Sequence, residues 1–266
     1  MTYYGQVVVL GGNRDGGISA IVDTIDPASG AARRLALLAA PVHDAAGGLI
    51  GNRPAVFGGG AGSARDEMQV VQPGGTTAVA GRLPQPRADV ASASSGGTVY
   101  LVGGYDGATM TPDVLATDDG VHTRVVARLL VAVRYPSVAI TGGQLFVIGG
   151  ATSGGENAGV DTNVVQQVDL RTGKISIRSR MPATRSHATA IVLGGRVYVL
   201  GGHVDGKWSD EVAAFDPATG ALRVVAHLPR AVSDAAATVV GSTAYLLGGE
   251  TAPNTPIADV VELRAG

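Results

Sequence analysis

The 266-residue chain contains no cysteine, which removes disulfides, thiolate metal sites and thiol nucleophiles together. The cellular compartment stays open, because an oxidising environment permits disulfides without requiring them. Charge is sparse: Lys+Arg 20 against Asp+Glu 22 gives a formal net charge of -2, and lysine occurs only at Lys174 and Lys207. Without a block of one sign there is no electrostatic footprint for nucleic acid or an acidic membrane surface. No apolar run approaches the roughly 20 residues that span a bilayer, and no basic-plus-apolar leader precedes Thr2, so the chain as given is expected to be soluble. Aromatics make up only 4%. What is abundant is glycine, 40 residues in a chain that is 45% apolar. That balance excludes collagen-like and disordered chains and makes glycine a punctuation mark.

The punctuation is periodic. An apolar run ending in Gly-Gly closes at Gly12, Gly59, Gly104, Gly150, Gly202 and Gly249, a recurrence every 45–52 residues. Upstream of the last five doublets, 22-residue segments beginning at Leu38, Leu83, Leu129, Met181 and Leu228 align without a gap. Each reads as a turn, a strand of small residues, a two-residue Gly/Asn/Ser turn and a second apolar strand, which is a hairpin signature. Downstream comes a polar loop, then a third strand ending in a turn such as Asp26 to Gly30, Asp169 to Gly173 or Asp216 to Gly220, and a reversal into a fourth. A four-stranded antiparallel meander cannot bury both its faces alone. Such units must stack, and a radial arrangement hides all but short edges.

These residues resemble the Kelch family of β-propellers over essentially the whole chain. The doubled glycine, the aromatic three residues before it (Tyr100, Phe146, Tyr198, Tyr245) and the Asp216 to Gly220 turn carry the likeness. The chain departs from the eukaryotic pattern in lacking a fourth-strand Trp and is similar instead to degenerate bacterial Kelch propellers. The resemblance implies an all-β, six-bladed propeller forming a single domain over residues 1–266. It also implies an extracellular or cell-envelope placement, by family analogy alone.

Two blades are expected to be incomplete. Only ten residues precede the first doublet, so the innermost strand of blade one is expected to be missing, and Val260 to Gly266 stops where the third strand of blade six ends. Three readings follow: a fragment of a longer protein, a ring closed by packing of blades one and six alone, or open edges that pair with another chain, with Val7 to Leu10 as the edge to inspect.

Strand parity places the loops after the doublets and the starts of the inner strands on one rim. Position seven of the aligned segments is Asp44, Asp89, Tyr135, His187 and Asp234, an equivalent place in each blade and therefore a ring about the axis. Asp there either caps a loop through backbone N–H groups or faces a ligand. Arg87, Arg134 and Arg185, at positions five or six, suit carboxylate or sugar oxygens, or else bridge blades by pairing with Asp. Tyr105, His203 and Trp208 on the post-doublet loops complete the candidate binding set, Trp208 being expected in a loop. Glu156, Asn157, Asp161 and Asn163, in the longest loop, are oxygen donors without EF-hand order, so no metal or other cofactor is expected.

Several chemistries fail. The glycines of Gly58 to Ser63 are explained by the repeat and precede no helix, so they are no phosphate cradle. His43–Asp44 and Ser186–His187 are neighbours on strand-like segments, where side chains are expected to diverge. The favoured reading is a noncatalytic module binding a protein or a carbohydrate through the loop rim. The first alternative is a cofactor-independent sugar mutarotase or epimerase, as the resemblance to sialic acid mutarotases implies, with His187, Asp89, Asp234 and Arg185 as acid, base and anchor. The second is an assembly module that self-associates through its open end blades.

Overall fold

The computed structural model describes residues 1–14, 17–152 and 160–264, and among these there is strand, bridge and turn but no helix. Six antiparallel meander sheets succeed one another along the described residues. The first orders Thr2–Tyr3, Gln6–Leu10, Ile21–Ile25 and Ala32–Leu37; the second Ala46–Ile50, Arg53–Phe57, Glu67–Val71 and Thr77–Arg82. The third orders Ala91–Ser95, Thr98–Val102, Asp113–Thr117 and Arg124–Arg128; the fourth Ser137–Thr141, Gln144–Ile148, Val164–Asp169 and Ile175–Arg180. The fifth orders Thr189–Leu193, Arg196–Leu200, Glu211–Phe215 and Leu222–His227, and the sixth has Ala236–Val240, Thr243–Leu247 and Val260–Arg264. From the second sheet to the sixth, the first strand of each touches the first strand of the next, and Ala236–Val240 touches Thr2–Tyr3, which brings the succession back to its start.

Strand period two explains why the sheets stack. On Thr98–Val102, Val99 and Leu101 turn toward the second sheet and Val102 toward the fourth. Five buried apolar clusters result, one between each consecutive pair of sheets from first to sixth. Phe146 and Phe215 meet edge-on at 5.1 Å between the fourth and fifth sheets, a geometry worth about 1 kcal/mol beyond burial. Inner strands use small residues because the sheets converge there: a Cβ on Gly48 would collide with Val99. Buried Gln69 and Gln166 clamp the neighbouring connections, each amide accepting from and donating to one backbone residue, Ala40 and Val131 respectively.

The seam between the sixth and first sheets differs. No apolar cluster fills it among the described residues; Thr2 Oγ1 instead meets Thr238 Oγ1 at 2.9 Å and donates to the Val239 carbonyl at 2.7 Å. The first sheet does have an inner strand, contrary to expectation, but it is a stub pairing only Thr2 with Val7 and Tyr3 with Gln6. Met1 extends it by one step, donating to and accepting from Val8. The inner edge is therefore open only at Val9 and Leu10, a shorter stretch than Val7 to Leu10.

Candidate functional site

The site grows out of one backbone conformation. Asp44, Asp89, Tyr135, His187 and Asp234 all have positive φ, between 51° and 59°. The reason is local. Position six bridges to the loop after the sheet's own doublet, as in His43–Gly60, Ala88–Tyr105 and Arg134–Ala151, and the chain must then reverse at once into the inner strand. Asp tolerates the left-handed region, whereas Tyr135 is costly there and is held by its surroundings. The reversal also links sheet to sheet. The Asp89 N–H donates to the Asp44 carbonyl, Tyr135 to Asp89, His187 to Tyr135 and Asp234 to His187, at 2.9–3.1 Å.

This arc of backbone bonds encircles a cavity of about 640 Å³ that all five residues line. His43, Glu250, Asp259 and the N-terminal Met1 share its wall, which extends sideways past Val9 and Leu10 into the open seam. Among the described residues no arginine or lysine lines it. Burial and the Asp44 charge push Asp89 up to about 6, against the opposing pull of a Tyr135 hydrogen bond and of Arg134. Asp234 faces the water of the cavity, yet protein crowds it from behind; this desolvation, with Asp44 beside it, pushes it up to about 8. Burial, reinforced by His203 and Arg134, pushes His187 down to about 3, so its imidazole is neutral near pH 7. Burial holds the Tyr135 phenol far above its ordinary value. The cavity thus offers hydrogen-bond donors and acceptors around an acidic floor.

Two neighbour pairs overturn the expected divergence. His43 Nδ1 lies 2.6 Å from Asp44 Oδ2, and Ser186 Oγ lies 2.7 Å from His187 Nδ1. The left-handed turn at position seven breaks strand alternation and swings each side chain back toward its predecessor; Ser233 Oγ donates to Asp234 in the same way. Behind the cavity a row of rings runs outward: Tyr135 stacks on His187 at 3.9 Å, His187 lies 4.5 Å from His203, and His203 meets Trp208 at 5.0 Å. Trp208 is in a two-residue strand, Lys207–Trp208, paired with His203–Val204, rather than in a loop.

Of the ten binding residues expected from sequence, Asp89, Tyr135, His187 and Asp234 line the cavity. Arg87, Arg134, Arg185, Tyr105, His203 and Trp208 do not. Arg87 is fully buried, its Nη1 donating to the carbonyls of Gly103 and Asp113, and burial pulls its guanidinium down to about 10. Arg185 does the same to the Gly201 carbonyl and pairs with Glu211. These two tie adjacent sheets together, a place that valine takes at Val42, Val133 and Val232. Arg134 pairs with Asp89 at 3.2 Å and lies over the rings of Tyr105 and Tyr135. Of the long-loop oxygen donors, Glu156 and Asn157 lie outside the described residues; Asn163 donates to the Met181 carbonyl, and Asp161 bonds Ser186. Sequence reasoning missed Met1 and Asp259 on the cavity wall, for neither belongs to the aligned segments.

A Kelch motif family model matches residues 184–227. Mouse Kelch-like protein 35 is 37% identical over 107 residues, 40% of this chain and 18% of that protein. Kelch-like protein terF of Aspergillus terreus is 35% identical over 74 residues, 26% of this chain and 16% of that protein. The matched regions therefore span less than a fifth of these curated relatives. The structure of YjhT superposes with a TM-score of 0.80 at 12% identity, covering 100% of this chain and 95% of that one, and so shares the fold.

Proposed function

We propose, from the premise that this chain is a Kelch-repeat β-propeller, that it is a noncatalytic binding module whose axial cavity takes a small polar ligand, neutral or cationic, of the size of one or two sugar rings. The observation that carries this reading is the convergence of five left-handed residues on a single cavity whose described wall has no arginine or lysine. A guanidinium clamp is the usual means of holding a ligand carboxylate. Here Arg87 and Arg185 are spent between sheets, and His187 is neutral at pH 7. Hydroxyls and ammonium groups fit an acidic, hydrogen-bonding floor; carboxylates do not.

Titration calorimetry with a neutral hexose, an amino sugar and a uronic acid tests the reading. Saturable binding of the first two, with Asp89→Asn weakening the amino sugar by about tenfold near pH 7, is expected. Preference for the uronic acid, or binding that Asp89→Asn and Asp234→Asn leave unchanged, would refute it.

One observation favours a second reading. Asp89 and Asp234, pushed up to about 6 and about 8, bracket neutrality as a general base and a general acid would. Sugar anomerisation or epimerisation then needs no further group. Exchange NMR of anomer interconversion decides: acceleration lost in Asp234→Asn supports an isomerase, and an unchanged rate with intact binding supports recognition alone.

A further inference from the structure

In five seams of the ring the same set of backbone groups is matched by the start of the next aligned segment. The N–H of each doublet's second glycine donates to a position-five carbonyl: Gly12 to Val42, Gly59 to Arg87, Gly104 to Val133, Gly150 to Arg185 and Gly202 to Val232. In four of them the position-five N–H donates back, to Ser19, Arg65, Thr162 and Ser209. Position seven then joins the arc of backbone bonds around the axis. At the sixth seam, none of these partners is present among the described residues. The Gly249 N–H, the Ile257 carbonyl, the Asp234 carbonyl and the Asp44 N–H have no hydrogen-bond partner among the described residues, although each is the counterpart of a group bonded elsewhere.

Packing repeats the pattern. A Cβ on Gly58 would come 3.2 Å from the Leu83 side chain, the first residue of the next segment. A Cβ on its counterpart Gly248 would meet no side chain within 4 Å, only the Ile257 carbonyl at 3.4 Å. The open edge of Val9 and Leu10 continues the slot toward the axis, where Met1 occupies the counterpart of the eleventh segment position.

We propose that this seam is an acceptor for one extended peptide strand of about ten residues. The five segments already in place define its chemistry: an apolar first residue for the space in front of Gly248, unblocked N–H groups at positions five and seven, a left-handed residue at seven, and small residues from eight to ten. Charge narrows the choice at seven. That side chain would stand between Asp234 and Asp44, so histidine or another neutral or cationic residue fits and aspartate does not. Backbone pairing supplies the affinity and the surroundings of positions one and seven the selectivity, as in strand addition to a sheet edge.

The peptide Met-Pro-Ala-Thr-Arg-Ser-His-Ala-Thr-Ala, which copies residues 181–190, is the probe. Fluorescence anisotropy of the labelled peptide is expected to saturate, while hydrogen exchange slows at the amides of Gly249 and Asp44. A peptide with Asp in place of His at position seven is expected to bind about fivefold more weakly, and one N-methylated at position seven not at all. In a second arm, the same ten residues fused directly ahead of Met1 are expected to raise the unfolding midpoint and abolish binding of the free peptide. Binding no stronger than that of a scrambled peptide, or a fusion no more stable than the parent, overturns the proposal. Concentration-dependent dimerisation that protects Val9 and Leu10 would give the slot to a second copy and overturn it equally.

Discussion

At the scale of the residue, position seven carries both strain and chemistry. A non-glycine residue in the left-handed region costs on the order of 1 kcal/mol, less for Asp than for a branched side chain. Asp234 bears that strain and a crowded carboxyl besides. Asp234→Gly relieves both and is expected to leave stability unchanged or to raise it by about 0.5 kcal/mol in urea unfolding, whereas Asp234→Val is expected to lose about 2 kcal/mol. Ligand binding should be lost in both. A glycine variant that is clearly less stable than the parent would show that the Asp234 side chain is structural, held for its bond from Ser233. The alignment alone brought out position seven, because five residues sharing one place in a repeat share one place about an axis. Its conformation was not legible, since Asp, Tyr and His do not announce a positive φ as glycine does. That hidden turn is why the His43–Asp44 and Ser186–His187 contacts ran against strand alternation.

At the scale of the element, the glycine doublet is a joint between sheets. A Cβ on Gly103, which sits at φ 64°, would run into the Val133 carbonyl of the following segment. The doublet could be read from sequence as a turn; what it abuts could not, because the partner lies about thirty residues downstream. The arginines misled for the same reason. Arg87 and Arg185 occupy rim positions in the alignment, yet their stems run inward and their heads bind carbonyls of the next doublet. Gly248 is the one first glycine whose added Cβ meets nothing closer than the Ile257 carbonyl at 3.4 Å. Gly103→Ala is accordingly expected to cost more than about 3 kcal/mol through backbone collision, and Gly248→Ala only about 1 kcal/mol, the left-handed penalty alone. Equal losses for the two in guanidinium unfolding would mean that the sixth seam is as tightly filled as the others.

At the scale of the whole molecule, the ring gathers carboxyls around its axis and so ties stability to pH. Asp89 and Asp234 have folded values above their ordinary 3.8. Their contribution is complete below that value and is lost as pH rises through about 6 and about 8. His187 works the opposite way: depressed from 6.5 to about 3, it contributes fully above 6.5, and that contribution is lost as pH falls toward 3. The Met1 ammonium, pushed down by burial from 8.0 to about 6, likewise favours the folded state as pH rises across that interval. Between 6.5 and 8 Asp234 therefore opposes Met1, with the raised His43 acting on the side of Asp234. Only a difference between chains isolates the carboxyl. Asp234→Asn removes a group that is exposed to cavity water and partly screened, so the effect is modest: its unfolding midpoint relative to the parent should climb by about 2 °C or more from pH 6.5 to pH 8 and level off beyond. Calorimetric scans of both chains in matched buffers read that difference, and a difference independent of pH would mean that the Asp234 carboxylate is ionised throughout and that the axial floor is more negative than its crowding implies.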